Sequence, residues 1–120
     1  MKLMNMAEFL KIKNPNPGSA YRPQILTDAD NATGMGGQFC LNEPGSQTTF
    51  HLHKNNETIR IMLSGECTHV TMTDAGEIIE TPLKAGDVLF IPANEKHRLV
   101  NKDALFLEFF TNPPVVSYRE

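Results

Sequence analysis

Three of the four histidines in this sequence stand where an alternating apolar pattern ends. His51 and His53 are separated by one residue, so in a β-strand their side chains point to the same face. His97 ends a second such stretch and could supply a third imidazole from a neighbouring strand. Three imidazoles plus an oxygen donor suit zinc, iron, nickel, copper or manganese. The spacing therefore predicts a metal site with these three histidines as ligands.

Two glycine-bounded blocks, at residues 45–65 and 86–101, surround these histidines and resemble the two motifs of the cupin superfamily. The matching residues are Gly45, His51, His53, Gly65, Gly86, Pro92, His97 and Asn101. The resemblance covers about half of the chain. It implies an all-β fold, a double-stranded β-helix (jelly-roll) barrel with a metal inside, as a single domain over residues 1–120. It implies no particular reaction, because this superfamily hosts many chemistries.

The two motifs are matched with two departures. Asn94 stands where the second motif usually has glycine, and asparagine is, after glycine, the residue that best tolerates a left-handed backbone. The glutamate ligand of the first motif falls on Glu57 when counted from His53, but on Thr58 when counted back from Gly65. Neighbours on a regular strand face opposite sides, although a β-bulge could turn Glu57 inward. Glu57 is therefore kept as a candidate fourth metal ligand.

Composition is typical of one soluble globular domain, with 40% hydrophobic residues in 120. A net charge of −3 without a basic patch argues against a nucleic-acid partner. We find neither an apolar run of membrane-spanning length nor a signal-peptide pattern, which makes the cytoplasm the default location. Cys40 and Cys67 do not form a disulfide-framework pattern, and we expect them to be small buried residues.

Many short alternating stretches separated by turn residues predict a barrel or sandwich. Strands are predicted over residues 36–42, 48–53, 59–63, 67–73, 78–81, 87–91, 98–101 and 105–111, with an edge strand over 21–26. Asn5 is expected to cap a short helix over residues 6–10. Turns are predicted at 27–31, 43–45, 74–76 and 84–87, and residues 112–114 are expected to end the last strand.

Glu108 is the one charged residue in the predicted strand 105–110, whose other side chains are apolar. Such a strand is expected to be buried on both faces, which favours cover by a partner subunit and a symmetric homodimer. A buried carboxylate is costly unless it is paired. Glu108 is therefore a residue that points into the cavity, either as a partner of a metal ligand or as a catalytic acid or base with a raised pKa, or it is half of a structural ion pair at a strand end or interface.

The remaining polar and aromatic residues divide between cavity and scaffold. We expect Arg60 to lie on a solvated face, although it could clamp a substrate carboxylate, and His69 to be a hydrogen-bonded core residue. Phe39, Met62 and Phe109 are candidate walls of the cavity.

Two functions stay open. One is a metal-dependent enzyme of dioxygenase, isomerase or lyase type that acts on a small organic molecule. The other is a non-catalytic module that uses the metal to bind or sense a small molecule.

Overall fold

The computed structural model describes residues 1–15, 20–42, 47–111 and 115–118, without the side chains of 28, 101, 102 and 115–118. Within these ranges a seven-stranded, curled antiparallel sheet dominates, which confirms the predicted fold class. The elements are helix α1 (Met6–Leu10), a 3-10 turn (Asp28–Asp30), and strands β1 (Met35–Leu41), β2 (His51–Lys54), β3 (Thr58–Met72), β4 (Ile78–Lys84), β5 (Val88–Ile91), β6 (Lys96–Thr111) and β7 (Val115–Tyr118). No helix in the described ranges is long and apolar enough to cross a membrane.

Two long strands organise the sheet. β6 pairs with β1, β2 and β3, and β3 also pairs with β4 and β5. Each long strand joins two stretches that the sequence predicts as separate strands, so 59–63 and 67–73 are one element. β7, which pairs with β2, was not predicted. Because β3 and β6 pair along most of their length, they hold the short strands around one interior.

β3 bends at Gly65, whose φ is +76°, between two shifts in its register with β6. Before the bend the even-numbered Thr58 and Arg60 are buried, and after it the odd-numbered Cys67 and His69 are buried. The bend therefore changes which residues point into the barrel. A strictly alternating pattern cannot show such a change, because it assumes a regular strand.

The apolar core has an inner and an outer cluster, and β6 contributes alternate residues to the two. The inner cluster contains Cys40, Met62, Cys67, Leu83, Leu99, Ala104 and Phe106. The outer cluster contains Ile25, Phe39, Leu105 and Leu107, with Phe9 and Ile12 of the N-terminal segment packed against it. Both cysteines are buried, as predicted. The chain's own N-terminal segment thus covers part of the face of β6 for which cover by a partner subunit was expected.

Features that depend only on short segments agree with the predictions made from the sequence. Asn5 caps α1 by accepting a 2.8 Å hydrogen bond from the Ala7 backbone N–H. The predicted turns at 74–76 and 84–87 connect β3 to β4 and β4 to β5. Asn94 has a φ of +67°, which confirms that it takes the left-handed backbone of the motif's glycine.

Other predicted elements differ from the structure or lie outside the residues that it describes. The stretch 21–26 makes only two isolated bridges in the described chain, Tyr21 with Leu41 and Gln24 with Gln38, so it is not a full strand. The predicted turn at 43–45, which includes the motif residue Gly45, and the stop at 112–114 lie outside the described residues.

The bend at Gly65 generates a stability prediction. A Cβ at this position would collide with the Asp103 carbonyl oxygen, in a backbone conformation that alanine disfavours. We expect Gly65→Ala to lower the free energy of unfolding by about 3 kcal/mol or more, measured by urea denaturation. Gly76→Ala is the matched control, because Gly76 also has a positive φ (+85°) but meets nothing within 4 Å. Its expected cost is about 1 kcal/mol, and equal losses in the two variants would contradict the proposed clash.

Candidate metal centre

His51, His53 and His97 converge where β2 meets β6. His51 and His97 are direct partners in the strand pairing, and His53 lies two residues along β2. Their ring centroids are 4.5 Å (His51–His97), 5.2 Å (His51–His53) and 5.4 Å (His53–His97) apart. One ring nitrogen of each histidine lies within 4.8 Å of those of the other two. The structure therefore brings together the three histidines that the sequence nominated.

The hydrogen bonds of these rings leave nitrogen lone pairs for a metal. His51 Nδ1 lies 2.8 Å from the Thr49 carbonyl oxygen, and His97 Nδ1 lies 2.9 Å from the Glu95 carbonyl oxygen. Because a carbonyl only accepts, each Nδ1 carries the proton and each Nε2 presents a lone pair. Nδ1 of His53 is buried without a hydrogen-bond partner. Carbonyl contacts of this kind orient metal-binding histidines, so the donor set fits a divalent metal.

The electrostatic environment keeps these imidazoles in the form that binds metals. Burial lowers the pKa of His51 and His53 below the usual value of a histidine. Burial, with added repulsion from His51, lowers the pKa of His97 to about 3. Metal binding requires neutral imidazole. The three side chains therefore need no deprotonation before they ligate a metal near neutral pH.

Arg60 lies inside the barrel with a relative exposure of 2%, so the expectation of a solvated face is wrong. Its Nε and Nη2 donate to Glu108 Oε2 at 3.0 and 2.9 Å, and its Nη1 donates to His69 Nδ1 at 3.1 Å. The guanidinium also lies 5.0 Å from the centre of the Phe106 ring. A buried cation needs such partners, because desolvation would otherwise make it costly.

These partners form a row across neighbouring strands. Gln24 pairs with Gln38, Gln38 with Glu108, and Glu108 with Arg60. Cross-strand neighbours lie on the same face of a sheet, which explains how Gln38 Nε2 donates a 2.8 Å hydrogen bond to Glu108 Oε1. The strand register thus positions the polar groups beside the histidines.

His69 extends this network to Glu95. Because arginine cannot accept a hydrogen bond, His69 Nδ1 accepts from Arg60 and its Nε2–H donates to Glu95 Oε1 at 3.0 Å. His69 is therefore a hydrogen-bonded core residue, as predicted, and its ring also stacks on His97 at 5.1 Å. His69, Glu95 and His97 form a second group close enough to hold a metal. The Arg60 cation against His69 disfavours a further positive charge there.

Glu108 faces the interior beside His53 and His97, and it is ionised. Burial would raise its pKa, but the Arg60 charge and the hydrogen bonds from Gln38 and Arg60 lower the pKa to about 2. The expectation of a raised pKa is therefore wrong. The contacts of Glu108 are those of the other alternative, a structural ion pair, although the pair lies in the interior and not at a strand end. A carboxyl group with so low a pKa is a poor proton donor near neutral pH.

Glu57 and Thr58 occupy opposite faces at the start of β3. Thr58 is buried and lines the same pocket as His53, His97 and Glu108. Glu57 is exposed and lines a neighbouring apolar pocket, which Thr58 also lines. In the described part of the chain, β3 pairs with β6 in regular register from Thr58 to Met62, and its register shifts come after Met62. The assignment of Glu57 as a fourth ligand does not fit this geometry.

Two adjoining pockets of about 290 and 230 Å³ share Gln38, His53, His97 and Glu108. The larger is lined by apolar Ile91 and Phe110 in addition to polar residues.

The three predicted cavity walls lie elsewhere. Phe39 belongs to the outer cluster and Met62 to the inner cluster, and Phe109 lines the neighbouring apolar pocket. That expectation is therefore wrong. The side of the sheet on which each side chain lies depends on strand register and bends, which the alternation of apolar residues in the sequence does not reveal.

Sequence analysis did not single out Gln38, Asn56 or Glu95 as site residues. Gln38 reaches the site through the β1–β6 register, which no local pattern reveals. Asn56 and Glu95 stand beside the motif histidines in sequence, and this proximity was the available signal.

Comparisons with known proteins agree with the fold and the site. Residues 39–110 match the Cupin domain. Because this match covers more than half of the chain, the protein belongs to the cupin family, and the resemblance seen in the sequence is confirmed. No curated protein matches the chain.

Several solved structures have the same fold. An uncharacterized conserved protein with a double-stranded β-helix domain from Klebsiella pneumoniae is 19% identical, with a TM-score of 0.76 over 99% of this chain and 92% of that one. Oxalate oxidase in complex with the substrate analogue glycolate is 19% identical, with a TM-score of 0.70 over 91% of this chain and 60% of that one. KdgF from Halomonas sp. is 17% identical, with a TM-score of 0.65 over 84% and 86%. At these identities the likeness shows the fold alone.

The buried ion pair generates a pH-dependent prediction. Because the pKa of Glu108 is lowered from 4.5 to about 2, its contribution to stability is full above pH 4.5 and is lost as the pH falls toward 2. We expect Glu108→Gln to lower the free energy of unfolding by about 3–5 kcal/mol at neutral pH, because it leaves the Arg60 cation unpaired. The difference from the native protein should shrink between pH 4.5 and 3 in urea denaturation.

Glu57→Gln provides the control for this measurement, because Glu57 is exposed. Its expected effect on stability is below about 0.5 kcal/mol. A Glu108→Gln penalty that stays constant down to pH 3 would contradict the ion-pair account.

Proposed function

We propose that this protein binds a divalent transition metal through His51, His53 and His97 and that the metal-loaded site is an enzyme centre for a small organic acid. The observation that carries the proposal is the convergence of three neutral imidazoles beside two pockets. Three protein donors leave coordination positions for substrate and water. Zinc, iron, nickel and manganese all suit this donor set, and dioxygenase, isomerase and lyase reactions all suit such a site.

Charge in the pockets supports an anionic substrate. The Arg60 charge is compensated by Glu108, whereas Arg22 is exposed and lines the same pocket as the three histidines. Arg22 would therefore meet a carboxylate that enters this pocket. Pockets of about 290 and 230 Å³ limit the ligand to a small molecule. The name of one similar fold, oxalate oxidase, also specifies a small organic acid.

The chain's own residues would bind and orient the substrate. A bound metal would supply Lewis-acid or redox chemistry. Arg22 would hold the carboxylate, and Ile91 and Phe110 would keep water from one side of the ligand. Glu108, which we considered as a catalytic residue, would fix Gln38 and Arg60 as a positioning residue, because its low pKa makes it a poor acid.

One observation favours the alternative, a non-catalytic binding or sensing module. Among the described residues that line the two pockets, Glu108 is the only carboxylate, and Arg60 compensates it. No other carboxylate in these linings is therefore available to move a proton. Turnover of a small organic acid by the metal-loaded protein, compared with the metal-free protein, distinguishes the two functions.

The metal ligands are tested by elemental analysis of protein purified without an affinity tag. We expect about one equivalent of metal in the native protein and a loss of metal affinity of about 100-fold or more in His97→Ala or His53→Ala, because each removes one ligand. Glu57→Gln is the matched control and should keep its metal. Metal loss in Glu57→Gln, or full metal content in His97→Ala, would contradict the proposed ligand set.

We also propose a symmetric homodimer formed by a second copy of the chain. The N-terminal segment covers part of the sheet's outer face, but Ile59, Val88 and Phe90 remain 45%, 66% and 55% exposed. They lie on the paired strands β3 and β5, next to an apolar pocket. A contiguous exposed apolar surface of this kind favours association, and a two-fold dimer is the commonest closed assembly.

Light scattering at micromolar concentration tests the dimer. The native protein should have a dimeric mass, and Phe90→Lys should shift it to the monomer, because a buried lysine in the interface is costly. Ile79→Lys is the control, since Ile79 is similarly exposed (48%) but lies on β4, outside this surface. A native monomer, or an unchanged dimer in Phe90→Lys, would contradict the proposed interface.

A further inference from the structure

The pocket of about 290 Å³ differs chemically from the adjoining pocket of about 230 Å³, which Arg22 lines. Because the histidines of the larger pocket are neutral, Glu108 is its only ionised side chain among the described lining residues, and Arg60 compensates that charge. Its other polar side chains are uncharged amides and hydroxyls: Gln24, Gln38, Asn56, Thr33 and Thr58. This end of the site is therefore polar but offers no positive charge for a second carboxylate.

Asn56 is the most informative of these residues. Its side chain is 2% exposed, and both Nδ2 and Oδ1 are buried without a hydrogen-bond partner. Buried polar groups are nearly always paired, so an unpaired amide in a pocket wall needs an explanation. A ligand that enters the pocket provides one, because the carboxamide then obtains the partners that the protein does not supply.

The hydrogen-bonding capacity of an amide selects among ligands. Asn56 offers a donor at Nδ2 and an acceptor at Oδ1. A hydroxyl group donates and accepts, so it can match both atoms. A carboxylate only accepts and would leave Oδ1 unpaired, and an ammonium only donates and would leave Nδ2 unpaired. The hydrogen bond from Gln38 to Glu108 fixes a second amide in the same pocket.

We infer that this pocket receives the uncharged, hydroxylated end of the ligand and that Asn56 determines this specificity. The ligand class is a short hydroxylated carboxylic acid. Its carboxylate lies on the side of Arg22 and the three histidines, and its distal hydroxyl lies at Asn56. This inference rests on the proposed function, because it assumes that the acid binds beside the metal.

Three small acids test the inference by isothermal titration calorimetry on zinc-loaded protein, since zinc has no redox chemistry. Glycerate carries a hydroxyl on its third carbon, lactate has the same skeleton without that hydroxyl, and malate has a carboxylate in its place. We expect the native protein to bind glycerate about tenfold or more tightly than lactate or malate. Asn56→Leu should reduce the preference for glycerate over lactate to about twofold or less.

Asn42→Leu is the matched control. Asn42 is also buried with both side-chain polar atoms unpartnered, but it lines neither pocket. It should keep the preference for glycerate. If Asn56→Leu does not fold, Asn56→Ala makes the same test with a smaller side chain.

The outcomes separate this inference from the proposed function. Equal affinity for the three acids, or an unchanged preference in the Asn56 variants, would overturn the inference and leave the proposed function standing. If none of the acids binds more tightly to zinc-loaded than to metal-free protein, the proposed function fails and the inference fails with it.

Discussion

The ion pair between Arg60 and Glu108 is the interaction on which the interior of this barrel depends. Arg60 is among the largest fully buried side chains, and its charge must be compensated where water is excluded. Two donors of the guanidinium meet one oxygen of Glu108, and a third meets His69. The pair connects β3 to β6, and Gln38 adds β1. The strand pairing thus places the row of Gln38, Glu108 and Arg60 beside the histidines.

The same network gives the polar interior two separate roles. His51, His53 and His97 are neutral, and two of them are oriented by main-chain carbonyls, so they are suited to ligation. Both ring nitrogens of His69 are hydrogen-bonded, one to Arg60 and one to Glu95, so His69 is suited to hold these side chains in place. Its ring stacks on His97, which links the ion pair to the candidate metal centre. A buried charge network therefore lies directly behind one of the three nominated ligands.

The predictable part of the site was the part with a local signature. The i, i+2 spacing of His51 and His53 and the position of His97 in its motif were sufficient to predict that the three side chains converge. The cap at Asn5 and the left-handed Asn94 are also properties of short segments. The fold class followed from strand spacing and the two motifs together.

The remaining features depend on long-range register. Gly65 bends β3 and changes the face on which side chains lie, so the burial of both Arg60 and His69 does not fit one alternating pattern. The pairing of Gln38 with Glu108 joins residues 70 positions apart. The packing of the N-terminal segment on β6 likewise depends on tertiary structure, which the apolar pattern of the strand alone does not reveal.

The central claim is that one metal ion is held by His51, His53 and His97. The most direct measurement is an anomalous difference map from crystals of the zinc-loaded protein. We predict one strong peak, with a ring nitrogen of each of the three histidines at about 2.0–2.1 Å from the ion. A peak held instead by His69, Glu95 and His97, or a peak confined to surface carboxylates, would contradict the account.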